Sequence, residues 1–342
     1  MSFLLGFAAD RGGPFVPDPA KPHHGSNGRF CNPHIPARHA FSEFLRWQGG
    51  GGPRDEALVI PRGFEYPNPR EHALGPGPAV TWINHATFLV SGEGVNVLTD
   101  PIFSERCSPV PWAGPRRHHP PGIPLENLPP VHHVIVSHSH YDHLDLETAR
   151  AIGNRATWWV PLGLAAWFRE QGITNVVELD WWDTREVPGG NESPVRMTSV
   201  PVQHFSGRTL LDRNTTLWTG WVVRIGKCQF YFAGDTGYNP HDFRAARERL
   251  GPMDLALIPI GAYSPRWFMK PVHVNPQEAV QIHEDLGARL SIGMHWKTFR
   301  LTAEPMEEPP YALYRAMEKR VIPFDRFRVL GPGQRIAWGR ET

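Results

Sequence analysis

The chain has 342 residues, of which 40% are hydrophobic and 20% charged, a composition that excludes wholesale disorder and can bury one large core or two modest ones. Lysine and arginine total 35 against 34 for aspartate and glutamate; a formal charge of +1 lacks the basic field that nucleic acid requires, so nucleic acid is set aside as a partner. Cys31, Cys107 and Cys228 lie far apart with no CxxC pair, which argues against a disulfide framework and a thiolate zinc finger. Nitrogen and oxygen remain as donors for any metal, and eighteen histidines supply the nitrogen.

The opening run Ser2 to Ala9 is apolar but short and lacks the basic segment of a secretory signal, and nothing later approaches the roughly 20 apolar residues of a membrane span. A soluble, cytoplasmic protein is expected, with peripheral membrane contact and a homodimer both left open. From Met1 to about Pro78 the chain is dense in proline and glycine, with one helix-like stretch near Ala40 to Trp47; it reads as an arm or embellishment on a domain spanning 79–342. Regular patterning then begins. Val80 to Ile83, Thr87 to Val90 and Val95 to Leu98 form a β-meander. The proline-rich excursion from Pro109 to Pro130 is too long for a simple turn, so it is expected to be functional or packed over something.

Val131 to Val136 follows as a buried strand and Glu147 to Ile152 as a helix. Beyond them come strand Thr157 to Val160, helix Leu162 to Gln171, and strands Val176 to Leu179, Val195 to Val200, Thr216 to Ile225 and Gln229 to Phe232. Asp242 to Leu250 reads as a helix and Leu255 to Ile260 as a strand. A helix starts after Asn275, which is set up as N-cap with Pro276 in the first turn and Glu278 completing a capping box; it closes at Gly287 before strand Arg289 to Met294. A meander followed by alternating strands and helices fits two packed sheets with helices outside, an αββα sandwich of the α/β (α+β) class.

The chemistry gathers in His138-Ser139-His140-Tyr141-Asp142-His143, directly after a strand. Side chains two apart in an extended loop point the same way, so His138 and His140 can reach one ion while Asp142 and His143 face a neighbouring point. Two open metal positions need about seven protein donors. The run supplies four, and three other apolar runs end in a donor: His204, Asp235 and His295.

This pattern resembles the metallo-β-lactamase superfamily. More narrowly, Gly28-Arg29-Phe30-Cys31-Asn32-Pro33, Trp82-Ile83-Asn84-His85-Ala86-Thr87, Leu98-Thr99-Asp100-Pro101-Ile102-Phe103, Ala113-Gly114-Pro115-Arg116-Arg117, Phe232 to Tyr238 and His295-Trp296-Lys297-Thr298-Phe299 resemble its N-acylphosphatidylethanolamine-hydrolysing phospholipase D branch, a likeness running from about Gly28 to about Pro310. The resemblance implies one zinc on His138, His140 and His204, a second on Asp142, His143 and His295, and Asp235 bridging both; iron or manganese would also suit such donors. It places His273 near the reacting centre. Asn84 and Lys297 depart from it, standing where relatives often carry glycine.

The implied activity is hydrolysis of an amphipathic or lipid phosphodiester by a hydroxide shared between two cations, with Asp142, Asp235 and His273 as candidate catalytic residues. His273 would protonate the leaving group or hydrogen-bond the phosphate. His85 is a candidate support for a metal ligand or a packing residue. A lactonase or carboxylic-ester hydrolase on the same site is the alternative reading, and a non-catalytic metal-binding module a third. The thirteen tryptophans, Trp158-Trp159 and Trp181-Trp182 among them, are assigned to core and rim packing, not to a membrane belt. The arm and the Pro109 to Pro130 excursion are the candidate walls of a lipid groove.

Overall fold

The computed structural model describes residues 17–36, 43, 46, 49–69, 77–190, 193–209 and 211–339. The opening run Ser2 to Ala9 lies outside them, as does the helix-like stretch near Ala40 to Trp47 apart from Glu43 and Arg46.

Apolar alternation makes β1 (Ala79–Asn84), β2 (Thr87–Gly92) and β3 (Val95–Thr99) an antiparallel meander. Parallel strands β4 (His133–Ile135), β5 (Thr157–Pro161) and β6 (Val176–Leu179) extend it. The second sheet repeats this plan. Its antiparallel part is β7 (Thr184–Val187), β8 (Val195–Val200), β9 (Gly220–Ile225) and β10 (Cys228–Phe232). Its parallel part adds β11 (Leu255–Pro259), β12 (Leu290–Met294) and β13 (Phe327–Arg328). A last strand, β14 (Arg335–Ala337), returns to pair with β1, giving two sheets of seven strands each.

Strand alternation distributes the core. Trp159, Ile135 and Trp82 face the second sheet and pack in one cluster with Met197, Trp221 and Phe232, whereas Trp158, Val134 and Ile83 point the other way. There they meet Ala149 and Ile152 of helix Leu146–Ile152 and Phe168 of helix Ala165–Glu170. Val280 and Leu313, from helices Pro276–Asp285 and Glu308–Arg320, cover the second sheet. The αββα sandwich is therefore the observed fold, and Trp82, Trp158, Trp159, Trp181, Trp218 and Trp221 are core residues. Among the described residues Trp112, on the proline-rich excursion, is the one exposed tryptophan.

Several element boundaries differ from expectation for local reasons. Residues 216–219 do not join β9, because Leu217 and Thr219 donate to Leu162 and Ser137 in loops of the first sheet. Gly163 adopts a φ of 89°, so the expected helix from Leu162 begins only at Ala165. The Asn275 cap forms as expected, with Pro276 in the first turn and Glu278 bonding back to the Asn275 N–H. The short strand β7 and helix Glu308–Arg320 have no counterpart in the sequence reading.

Candidate metal centre

All seven expected metal donors, and Asp100, sit just past strand ends on one rim of the sandwich, whereas His273 lies between helices Arg266–Met269 and Pro276–Asp285. Asp100 follows β3, the run 138–143 follows β4, His204 follows β8, Asp235 follows β10, and His295 follows β12. Gly234 lets the two sheets close there: a Cβ at this residue, whose φ is 58°, would lie 2.3 Å from that of Ser137. Strain accumulates on the same rim. Asp100, His85, His295 and Lys297 all have positive φ, at 30°, 41°, 60° and 64°. Lys297 thus holds a left-handed backbone, the conformation that glycine adopts without strain.

All seven expected donors converge. In one group, Nε2 of His138 lies 2.8 Å from Nδ1 of His140, which in turn lies 3.4 Å from Nε2 of His204. In the other, Nε2 of His143 and of His295 approach Asp142 Oδ2 at 3.3 and 3.2 Å. The Asp235 carboxylate lies between the groups, with Oδ1 3.1 Å from His295 and Oδ2 3.2 Å from His143, 3.7 Å from His204 and 4.0 Å from His138. His273 stands behind it, Nδ1 3.9 Å from Asp235 Oδ2 and without a hydrogen-bond partner.

The ring tautomers show that cations suit this arrangement. His204 Nδ1 lies 2.9 Å from the Val272 carbonyl, which only accepts, so Nδ1 carries the proton and Nε2 presents a lone pair inward. Ser137 Oγ donates to Asp100 and therefore accepts from His138 Nδ1, which leaves the His138 Nε2 lone pair facing His140 and His204. Three ring nitrogens thus converge, at least two of them with lone pairs; a proton on His140 Nδ1 can bridge to His138 at 2.8 Å, and a cation in its place would be offered all three nitrogens. In the second group His143 donates from Nδ1 to Asp100 at 2.6 Å, while its buried Nε2 and Asp235 Oδ1 make no hydrogen bond. Outer hydrogen bonds of this kind fix ligand rings.

Charge separates the two groups. Burial, then neighbouring imidazoles, pushes His138 and His204 well below the ordinary histidine value, so both rings are neutral donors. Burial also opposes charge on His143 and His295, but Asp235 foremost and then further carboxylate contacts outweigh it, raising His143 well above its ordinary value and His295 to about 9. Burial raises Asp142 and Asp235, yet surrounding histidines, His143 first for Asp142 and His295 first for Asp235, hold both well below the usual carboxylate range. A cation entering the second group therefore displaces protons.

Two residues outside the seven donors also bear on the site: His85, expected as a support or a packing residue, and Asp100, which had no assigned role. His85 places Nε2 3.0 Å from Asp142 Oδ2, and its ring lies 4.0 Å from that of His295. Asp100, quoted above only as part of a motif, accepts from the Ser137 N–H and hydroxyl as well as from His143. Its signal was in the sequence: a carboxylate ending an apolar strand, as Asp235 does.

The Beta-lactamase superfamily domain profile matches residues 95–296, more than half of the chain. The N-acyl-phosphatidylethanolamine-hydrolyzing phospholipase D 1 of Caenorhabditis elegans is 45% identical over 253 residues, 71% of each chain. The chain belongs to the metallo-β-lactamase superfamily, in its N-acylphosphatidylethanolamine-hydrolysing phospholipase D-like branch. A metal-dependent hydrolase of Methanopyrus kandleri is 31% identical over 75% of this chain and 97% of its own. In fold the chain is similar to the isothiocyanate hydrolase from Delia radicum gut bacteria, with a TM-score of 0.58 at 20% identity over 76% of this chain and 98% of that one. This member of the superfamily is accordingly a metal-dependent hydrolase. Among its described residues no helix is long and apolar enough to cross a membrane.

Proposed function

We propose that the chain is a zinc-dependent phosphodiesterase of phospholipase D type, acting on an amphipathic or lipid phosphodiester. The observation that carries this reading is one carboxylate, Asp235, set between two donor groups built from His138, His140 and His204 and from Asp142, His143 and His295. Imidazoles and carboxylates in these numbers suit zinc, with Asp235 as the shared ligand. Held by these residues, two cations would supply Lewis acidity and a water activated near neutral pH, since coordination lowers the pKa of water from about 15.7 towards about 7.

The chain's own groups do the rest. Asp100 orients His143, the Val272 carbonyl orients His204, and His85 holds Asp142 through its Nε2. His273, with an unpartnered Nδ1 beside Asp235, hydrogen-bonds the phosphate or passes a proton to the leaving oxygen. The excursion and the arm flank this rim: His118 donates to the Thr298 carbonyl just beyond His295, and Asn32 bonds His204. Both are the walls against which an acyl chain is received. The N-acyl-phosphatidylethanolamine-hydrolyzing phospholipase D relative, 45% identical to this chain, supports a lipid phosphodiester substrate.

Elemental analysis of purified protein, combined with turnover of a bis-aryl phosphodiester, an N-acyl phospholipid and a lactone, tests the proposal. Two zinc ions per chain and hydrolysis of both phosphodiesters are expected. Lactone turnover without phosphodiester turnover transfers the site to carboxylic esters, and a chain that takes up no cation sinks both readings.

A further inference from the structure

His204 lies beyond the end of β8, where the ladder between strands has stopped, yet it is completely buried. Its peptide N–H and C=O therefore need partners that no strand supplies. Both are taken by one side chain: the Asn32 amide donates from Nδ2 to the His204 carbonyl at 2.7 Å and accepts from the His204 N–H at 3.2 Å. Asn32 thus acts as a one-residue strand neighbour for His204, from a position 172 residues away in sequence.

The segment that carries Asn32 is itself clamped at both sides. On one side Asp180 accepts from Lys21, lies 2.7 Å from Nε2 of His23 and 2.9 Å from Nε2 of His24, and accepts from the Trp181 N–H. The His23 ring stacks on Trp181 at 4.3 Å. On the other side, Phe30 donates to the Asn214 carbonyl and accepts from Asn214 Nδ2, and Phe30 is buried in the main core. Arg29 Nη2 reaches the Leu211 carbonyl at 2.9 Å, and Gln203 Nε2 bonds the Ile35 carbonyl at 2.6 Å.

We infer that Asn32 is a positioning residue for the His138, His140 and His204 group: its amide fixes the His204 backbone, and the clamped arm fixes Asn32, so the arm belongs to the metal centre. The inference rests on the reading of His204 as a ligand. The His204 ring is held at Nδ1 by Val272, but that bond orients the ring only while the backbone beneath it stays in place.

The test is cation affinity, measured on the full chain by competition with a chromophoric chelator for zinc and by the visible spectrum of the cobalt-loaded protein. Asn32→Ala should weaken one of the two cations by about 10–100-fold, the range for lost outer partners, and alter the cobalt spectrum, with the other cation held as before. Asn32→Asp keeps an acceptor for the His204 N–H and loses the donor to its carbonyl, so it should fall between wild type and Asn32→Ala. Asp180→Asn, which loosens the arm without touching His204, should weaken the same cation by less, and its effect should be less than additive with that of Asn32→Ala. Wild-type affinities and an unchanged spectrum in Asn32→Ala overturn the inference; if that variant does not fold, wild-type affinity in Asn32→Asp does so. A wild-type chain that binds fewer than two cations overturns it together with the ligand assignment. Phosphodiester turnover does not enter this readout, so a different substrate for the site leaves the inference standing.

Discussion

Among the described residues two clusters of histidine and aspartate can be compared, and at the level of residue type they look alike. At the rim, His138, His140 and His204 adjoin Asp235; on the arm, His23 and His24 adjoin Asp180, close enough together to hold an ion. The difference lies in where the protons go. His138 and His204 spend their Nδ1 protons outward, on Ser137 and Val272, and turn lone pairs inward. His24 does the reverse: its Nδ1 accepts from the Asp18 N–H, so its Nε2 carries the proton and faces Asp180. With the Lys21 ammonium also on that carboxylate, the arm cluster is a set of donors around one anion, already satisfied. A ligand set is recognised by the direction of its lone pairs, and residue identity alone does not reveal it.

The largest effect expected from breaking this comparison is at Asp235. Asp235→Asn should cut hydrolysis by more than about 100-fold, beyond the usual cost of an outer partner, and should lower cation content while the circular dichroism spectrum is retained. A fully active, metal-loaded Asp235→Asn protein would remove its bridging role. Next in size is Asp100→Asn, which weakens the bond orienting His143; a loss of about 10–100-fold in metal affinity is expected by chelator competition. The arm cluster should act chiefly through stability. Asp180→Asn should lower unfolding stability by about 2–3 kcal/mol in urea titration, since hydrogen bonds to a buried charge are lost. Wild type and His23→Ala should both hold two ions per chain at saturating zinc; a wild-type content of three that falls to two in His23→Ala would put a third site on the arm.

A smaller effect comes from histidines belonging to neither cluster. Burial pushes His133 down to about 4 from an ordinary 6.5, and burial followed by Arg326 does the same to His283. Both rings stay neutral in the fold while the unfolded chain binds protons below about 6.5, so the unfolded state gains protons first. Stability contributed by these two residues is present above pH 6.5, falls as the pH drops towards about 4, and levels off below that. Urea midpoints measured across this window should flatten when His133 and His283 are replaced by apolar residues of similar size.

The run 138–143 was legible because four donors in six residues act through local geometry alone. His204, Asp235 and His295 were legible as strand ends, since a buried strand must deliver its next residue to the rim. Asp100 carries that same signature and still went unassigned, because its task is defined by His143, 43 residues later. Asn32 and Asp180 gave less signal, since an asparagine amide acting as a strand neighbour and a carboxylate acting as a clamp resemble any polar surface residue until their partners, 172 and 157 residues away, are in place.

By itself the amino-acid sequence determined the strand and helix periodicities, the capped helix after Asn275 and the metal-binding type of the 138–143 run, all of which arise from neighbours within a few residues. Only the tertiary structure brought the seven donors within reach of one another with Asp235 between the two groups, closed β14 on β1, and set the arm against His204. Those outcomes depend on the packing of two sheets whose contacts join residues hundreds of positions apart, and on which way each imidazole turns its proton once it is there.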